Sequence, residues 1–389
     1  MKKYKVLVTY MEAGMGHITS ADAIADALET YYPDEVEVER SHVFTETGDP
    51  VLKKHEDKFV REVRYAQRHH RHMFFLTWLE YLLPPLWTLT LTYSIAYPRV
   101  KRRLQKLFRH KNPDVVLCTH WTPLHCAIED KKRRRADYLT ALYVPDPNVH
   151  GWWDHRADLT LLNNPRAYED AMREGFDPKK TILSRFILRT AVKNATRDKA
   201  QLRAKHGLPL DAFTVAVADG VYAEANLKPF TDALIALGRP MTILIIAGKN
   251  ETLYRHYSEL AGTLTVPRLF VYRFVPDAHE LYGAADLFVT KAGPNALLDC
   301  VCMGTPVLTN YYSSPIEQIT NELYIDQCGV GTYTTDPAEG ARRVAACMDD
   351  PSLLDPYREK CKAFVETHVG GEKEMADALI AALRAAKGP

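Results

Sequence analysis

The 389-residue chain predicts an α/β fold in two domains. Three observations lead there. The length exceeds one typical core, and two domains of roughly 150–200 residues are the natural division. Short apolar runs at 5–10 (KVLVTY), 114–119 (DVVLCT), 140–144 (TALYV) and 287–290 (LFVT) read as buried strands. Glycine-bearing turns follow the first and last of these and lead into helical spacing, which places polar groups at the carboxyl edge of a parallel sheet, where open α/β folds bind ligands.

Composition narrows the class. The chain is 46% hydrophobic and 25% charged with net charge +1, ordinary for a soluble globular protein. So even a balance argues against bulk nucleic-acid binding and leaves only local basic runs. The seven cysteines are odd in number, and Cys300 and Cys302 form C-x-C with no matching second half for zinc, so they read as buried thiols in a reducing compartment. The first apolar run is too short for the core of a signal peptide, and a cytoplasmic location is expected.

In order, strand 5–10 leads into Gly14, Gly16 and His17, then into a helix with Ala21, Ile24, Ala25 and Leu28 at helical spacing. The glycines allow close approach of a substrate to the backbone. At a helix start, among N–H dipoles, the cationic form of His17 is disfavoured. A neutral His17 can take a proton from an attacking hydroxyl; the plainer alternative is a histidine that only caps or packs.

Strand 35–44 follows, then a charged helix over 53–72. Residues 73–97 are apolar and aromatic with one charge, Glu80, and the stretch 100–111 is rich in Lys and Arg. Pro84 and Pro85 argue against one spanning helix. An aromatic surface flanked by cations is instead what an interfacial element attracted to anionic lipid headgroups looks like, so 73–111 is the expected membrane-associating segment. The run KKRRR at 131–135 reads as a solvated loop that can add to that charge.

Strand 114–119 ends at His120, and strand 140–144 leads to Asp146, His150 and Trp153. Asp146, at a strand's carboxyl end, can orient His17 or bind an acceptor hydroxyl; no metal site is expected. In the second half, Gly220 is the lone glycine of its turn, and the carboxylate of Asp219 beside it would repel phosphate unless aimed elsewhere. A strand at 269–275 ends in Arg273, Phe274 and Val275, which the resemblance described below makes candidates for holding a base. The stretch 287–331 then carries Lys291, Gly293, Pro294, Asn295 and Ala296 at a helix start suited to an anion. Asp299 one turn on can accept from a ribose diol, and Gln318 and Asn321 share a helix face.

The pattern KAG-x5-D, then GTPV, then Q-x-x-N and G-x-G at 291–331 resembles the nucleotide-sugar half of GT-B glycosyltransferases. It is most similar to the family of monogalactosyl- and glucosyl-diacylglycerol synthases and the peptidoglycan lipid-intermediate N-acetylglucosamine transferase. G-M-G-H at 14–17 resembles that family's first loop, and Asp146, His150 and Trp153 match its T-D-x-x-x-H-x-x-W signature with Pro145 in place of Thr. The resemblance implies two Rossmann-like domains facing across a cleft. It assigns acceptor binding to 1–190, with Gly14, Gly16, His150 and Trp153 toward the acceptor and His17 and Asp146 catalytic. Donor binding falls to 191–355, and helices 356–389 pack back on the first domain. It further implies inverting transfer of a sugar from a nucleotide diphosphate, UDP above all, to a lipid hydroxyl such as that of diacylglycerol, without a separate cofactor and at an anionic membrane surface. The chain departs from the pattern in three further places: Asp299 stands for the usual Glu, the turn at 184–192 lacks Gly and Pro, and 218–224 keeps only Gly220. These departures leave open a soluble glycosyltransferase or nucleotide-sugar epimerase, and a catalytically silent nucleotide-sugar-binding protein.

Overall fold

A computed structural model describes residues 3–12, 14–69, 85–223, 227–311 and 314–388. The apolar stretch 73–84 therefore lies outside the described residues. The chain divides into two units: one contains the N-terminal part through Val63, the stretch ending at Thr190 and the return from His368, and the other contains Ala191–Thr367. His368, where the return begins, is the last residue of the Asp355–His368 helix.

Among the described residues each unit carries a six-stranded sheet with every pairing parallel. In the first, β1 (Tyr4–Tyr10), β2 (Val36–His42), β3 (Val115–Cys118), β4 (Leu139–Tyr143), β5 (Leu159–Leu162) and β6 (Thr181–Leu183) run in the order β2-β1-β3-β4-β5-β6. In the second, β7 (Thr214–Ala218), β8 (Thr242–Ile246), β9 (Arg268–Tyr272), β10 (Leu287–Thr290), β11 (Val307–Thr309) and β12 (Gly331–Tyr333) run β12-β11-β10-β7-β8-β9. The order reverses once in each sheet, between β1 and β3 and between β7 and β10. At such a point neighbouring connections leave toward opposite faces and open a crevice at the strands' carboxyl ends.

The strands form where apolar residues run continuously, because both faces of a parallel sheet are covered. Alternate residues of one strand feed different cores. Val6 and Val8 join Ala21, Ile24 and Leu28 of the Gly16–Tyr31 helix and Met375, Leu379, Ile380 and Leu383 of the Glu372–Lys387 helix. Leu7 instead joins Phe44, Leu104, Phe108, Leu124 and Trp153. β9 stops at Tyr272, so Arg273, Phe274 and Val275, which the expected strand 269–275 included, lie beyond it. The short runs that make β5 and β6 give a weak signal, and sequence reading left them unassigned.

The turn at 184–192 manages without its own glycine because the glycines come from the chain it meets. Phe186 N–H donates to His368 O at 2.7 Å, and Gly370 N–H donates back to Phe186 O at 3.0 Å. A Cβ on Gly371 would stand 2.0 Å from the Arg185 carbonyl oxygen, so only glycine permits this approach.

Candidate functional site

The reversal in the first sheet brings together the loops after β1 and β3. His17 is the second residue of the Gly16–Tyr31 helix and is buried. Gly14, just before it, takes φ +101°, a conformation that favours glycine. The His17 Nδ1–H donates to the carbonyl of Thr119, and the Thr119 hydroxyl donates in turn to His17 O at 2.9 Å. Thr119 is itself held by its N–H to Thr9 O at 3.1 Å. A ring that donates from Nδ1 keeps its lone pair on Nε2. Burial pushes the His17 pKa down to about 4, against a smaller upward pull from Thr119. The imidazole is neutral at pH 7, and desolvation rather than the helix dipole is the main reason.

Around His17 stand residues that the sequence reading singled out and two that it passed over. His120 lies edge-on to His17 with ring centroids 4.8 Å apart, and Trp121 lies 6.2 Å away. Trp121 in turn meets His150 at 5.8 Å and Trp153 at 5.5 Å. His150 accepts from Trp152 N–H through Nδ1 at 3.3 Å, and burial lowers its pKa to about 3. Asp146 is buried with Oδ2 lacking a hydrogen-bond partner, and desolvation raises its pKa to about 7. The group that orients His17 is thus the Thr119 carbonyl. His120 and Trp121 were legible only by position, as the residues directly after a strand at the reversal.

The reversal in the second sheet brings the turn after β7 to the turn after β10. Gly220 takes φ +67°, and a Cβ there would meet the Lys291 side chain at 3.2 Å. Asp219 does not oppose an anion from this turn, because it is buried and accepts the Tyr311 hydroxyl at 2.7 Å. Lys291 Nζ pairs with Glu317 at 2.6 Å. Burial works against its charge, but Glu317 and then Asp219 outweigh that and raise its pKa, so Lys291 stays cationic. Glu317, a neighbour of Gln318, is a residue the sequence reading missed.

The Pro294–Cys302 helix starts here with Gly293 as its N-cap and no side chain capping it. A helix start capped by glycine, with its first-turn amides at Asn295 and Ala296, is the kind of arrangement that receives an anion. Asp299 is half-buried on the same helix. Asn321 Oδ1 accepts the Thr309 hydroxyl at 2.7 Å, and Gln318 donates to Glu322 at 3.0 Å. Asn321 also opens a π-helical segment, Asn321–Gln327. Its N–H still bonds back to the carbonyls of Glu317 and Gln318, so the helical spacing from Gln318 is kept up to this residue. The Arg273 guanidinium is committed to Glu251 at 3.0 Å and lies over the Tyr254 ring at 3.7 Å. Phe274 is 38% exposed, so it is not a core residue and has a ring face to offer a base. Among the described residues no group of three or more His, Cys, Asp or Glu is placed to hold a metal.

Two parallel-sheet domains, each with its polar loops at a strand-order reversal, have the architecture of the GT-B glycosyltransferases. Residues 17–183 match the monogalactosyldiacylglycerol (MGDG) synthase family, and residues 216–349 match the glycosyltransferase family 28 C-terminal domain. The chain is 23% identical over 353 residues to monogalactosyldiacylglycerol synthase 1 of Arabidopsis thaliana, covering 88% of this chain and 64% of that one. It thus spans less than two thirds of that relative's length. The fold is that of Acinetobacter baumannii MurG (TM-score 0.60, 12% identity, 97% of this chain and 99% of that one). It is also that of Anabaena Alr3699/HepE, solved in complex with UDP-glucose (TM-score 0.55, 14% identity, 97% and 99% covered). The chain has the GT-B fold and is related to the MGDG synthases and to the MurG-like NDP-sugar transferases.

The buried carboxyl of Asp146 has a thermodynamic signature. Its pKa is raised to about 7 in the folded chain, so between pH 4 and 7 the folded state binds the proton that the unfolded state has lost. Stability contributed by this group therefore falls as pH rises through that window. Asp146→Asn should gain stability relative to wild type from pH 4 to 7 and hold a constant margin above. Thermal melts of both proteins across pH 4–8 check this, and a margin independent of pH contradicts it.

Proposed function

We propose that the protein transfers a hexose from a UDP-sugar to the free hydroxyl of a diacylglycerol-type lipid at an anionic membrane surface, with inversion at the anomeric carbon. The observation that carries the reading is the neutral His17, its Nδ1–H fixed on the Thr119 carbonyl and its Nε2 lone pair left to accept a proton. This residue lies in the half of the chain that matches the MGDG synthase family. Inversion follows the family by analogy.

In this mechanism Nε2 of His17 takes the proton of the lipid hydroxyl as its oxygen attacks the anomeric carbon. The bond from that carbon to the diphosphate oxygen breaks, and UDP leaves with the charge. The helix start at Gly293 and the Lys291 ammonium stabilise that developing charge from fixed positions, which needs no reorganisation at the moment of reaction. Asp299 receives ribose hydroxyls. UDP-sugar is a co-substrate here and not a resident cofactor.

The membrane part rests on a surface next to the undescribed stretch. Leu91 is 53% exposed and Ile95 70%. Arg99, Arg102 and Lys106 follow, exposed and without an ion pair to any described residue. The other cations of the Pro98–Lys111 helix are internally neutralised: Lys101 by Glu129, Arg103 by Asp49, Arg109 by Asp130 and Lys111 by Glu39 and Glu46. Within 131–135, Lys131 pairs with Asp158 and Arg134 with Asp130, so most of that run contributes little outward charge. No described helix is long and apolar enough to cross a membrane.

Two outcomes follow. Asp299→Ala removes a charged acceptor from ribose hydroxyls, worth about 1.5–3 kcal/mol, so UDP affinity should drop roughly ten- to a hundred-fold. Calorimetric titration of UDP into both proteins reads this directly, and unchanged affinity sinks the ribose assignment. Partitioning onto phosphatidylglycerol vesicles should weaken as salt rises. A protein that stays in the supernatant with such vesicles at low salt argues against the surface-bound reading.

A further inference from the structure

His120 is the second residue after β3 and the N-cap of the Trp121–Arg134 helix, where its Nδ1 accepts the Thr122 N–H at 3.1 Å. That bond settles the tautomer: a neutral ring accepting at Nδ1 carries its hydrogen on Nε2. The residue is 0% exposed, and its Nε2 has no hydrogen-bond partner. Its neighbours are rings: Trp121 at 4.0 Å, His17 at 4.8 Å and Phe59 at 5.5 Å between centroids.

Capping alone does not account for a histidine here. Ser, Thr or Asp would cap the helix equally well. None of them would leave a buried N–H unsatisfied, at a cost of about 1–3 kcal/mol. An unpaired buried donor of this kind calls for a partner that arrives with a ligand. A second such donor lies across Trp121: Trp153 is 2% exposed and its Nε1 also lacks a partner. The neighbouring His17 ring, bonded through Nδ1–H, has its Nε2 as a proton acceptor. The attacking hydroxyl uses that acceptor. A donor aimed at the attacking oxygen would tie up an electron pair that the reaction needs, so the donors suit other oxygens of the same molecule.

We propose that His120 donates its Nε2–H to an ester carbonyl oxygen next to the attacking hydroxyl of the lipid, so that it selects glyceryl esters over simple alcohols and ethers. This deepens the lipid-acceptor reading above and rests on it. His17 then performs the proton transfer, while His120 touches the acceptor and sets which hydroxyl faces the base.

The test pairs two variants with two acceptors in mixed micelles, 1,2-dioleoylglycerol and 1,2-di-O-oleylglycerol, with UDP-glucose and UDP-galactose as donors. His120→Asn keeps a capping oxygen for Thr122 N–H and removes the distal donor, whereas His120→Gln places an amide N–H near the Nε2 position. For one neutral hydrogen bond, His120→Asn should lower kcat/KM on the diester roughly tenfold and on the diether by no more than about threefold. His120→Gln should recover most of the diester rate. Activity on the diether shows that the variant is folded, so equal losses on both acceptors, or no loss on the diester, overturn the role of His120. A wild type that transfers sugar to neither lipid overturns the acceptor reading itself.

Discussion

The contact on which the first domain's chemistry depends is the bond from His17 Nδ1–H to the Thr119 carbonyl. It joins the loop after β1 to the loop after β3, at the one place where the strand order of that sheet reverses. Three consequences follow from it. The ring cannot rotate to another tautomer without losing a buried bond, so the Nε2 lone pair is fixed in direction. The loop carrying Gly14 and Gly16 is tied at its far end. His120 and Trp121, one and two residues past Thr119, are brought against the imidazole.

The second domain solves a related problem with opposite charge. Its reversal, between β7 and β10, assembles a glycine-capped helix start and a half-buried ammonium. Burying a lone cation is costly, and Glu317 offsets that cost for Lys291. The other carboxylate of the turn, Asp219, is taken up by Tyr311. The positive character of the site thus survives in a sequence that places two acids within reach of it. In the first domain burial does the reverse service, keeping three histidines neutral through desolvation.

Much of this was legible in the sequence because it depends on local pattern. Continuous apolar runs marked the principal strands, and the glycine turns before Pro294 and at His17 marked the two loops at the reversals. What escaped depends on tertiary neighbours. Nothing in SRFILRTAV announces that Gly370 and Gly371 supply the close approach that the turn needs. Asp219 reads as a repulsive carboxylate until Tyr311, far along the chain, is seen to engage it. Glu317 looks like an ordinary first-turn acid until Lys291 is placed opposite. His120 reads as a strand end, since its role comes from an unpaired ring nitrogen that no spacing reveals. The expected β9 overran from Arg273 on because an apolar run does not mark where pairing stops.

The central claim is that His17 is the base for transfer to a lipid hydroxyl. It is tested most directly by the turnover of His17→Ala with UDP-sugar and dioleoylglycerol, product being quantified by mass spectrometry. The account predicts a fall of roughly 10²–10⁴-fold in kcat, the usual worth of a general base. UDP affinity should stay at the wild-type value, because the groups proposed to hold the donor lie in the other domain. A variant that makes glycolipid at near wild-type rate would contradict the assignment and shift the base to another group, with Asp146 the first to examine.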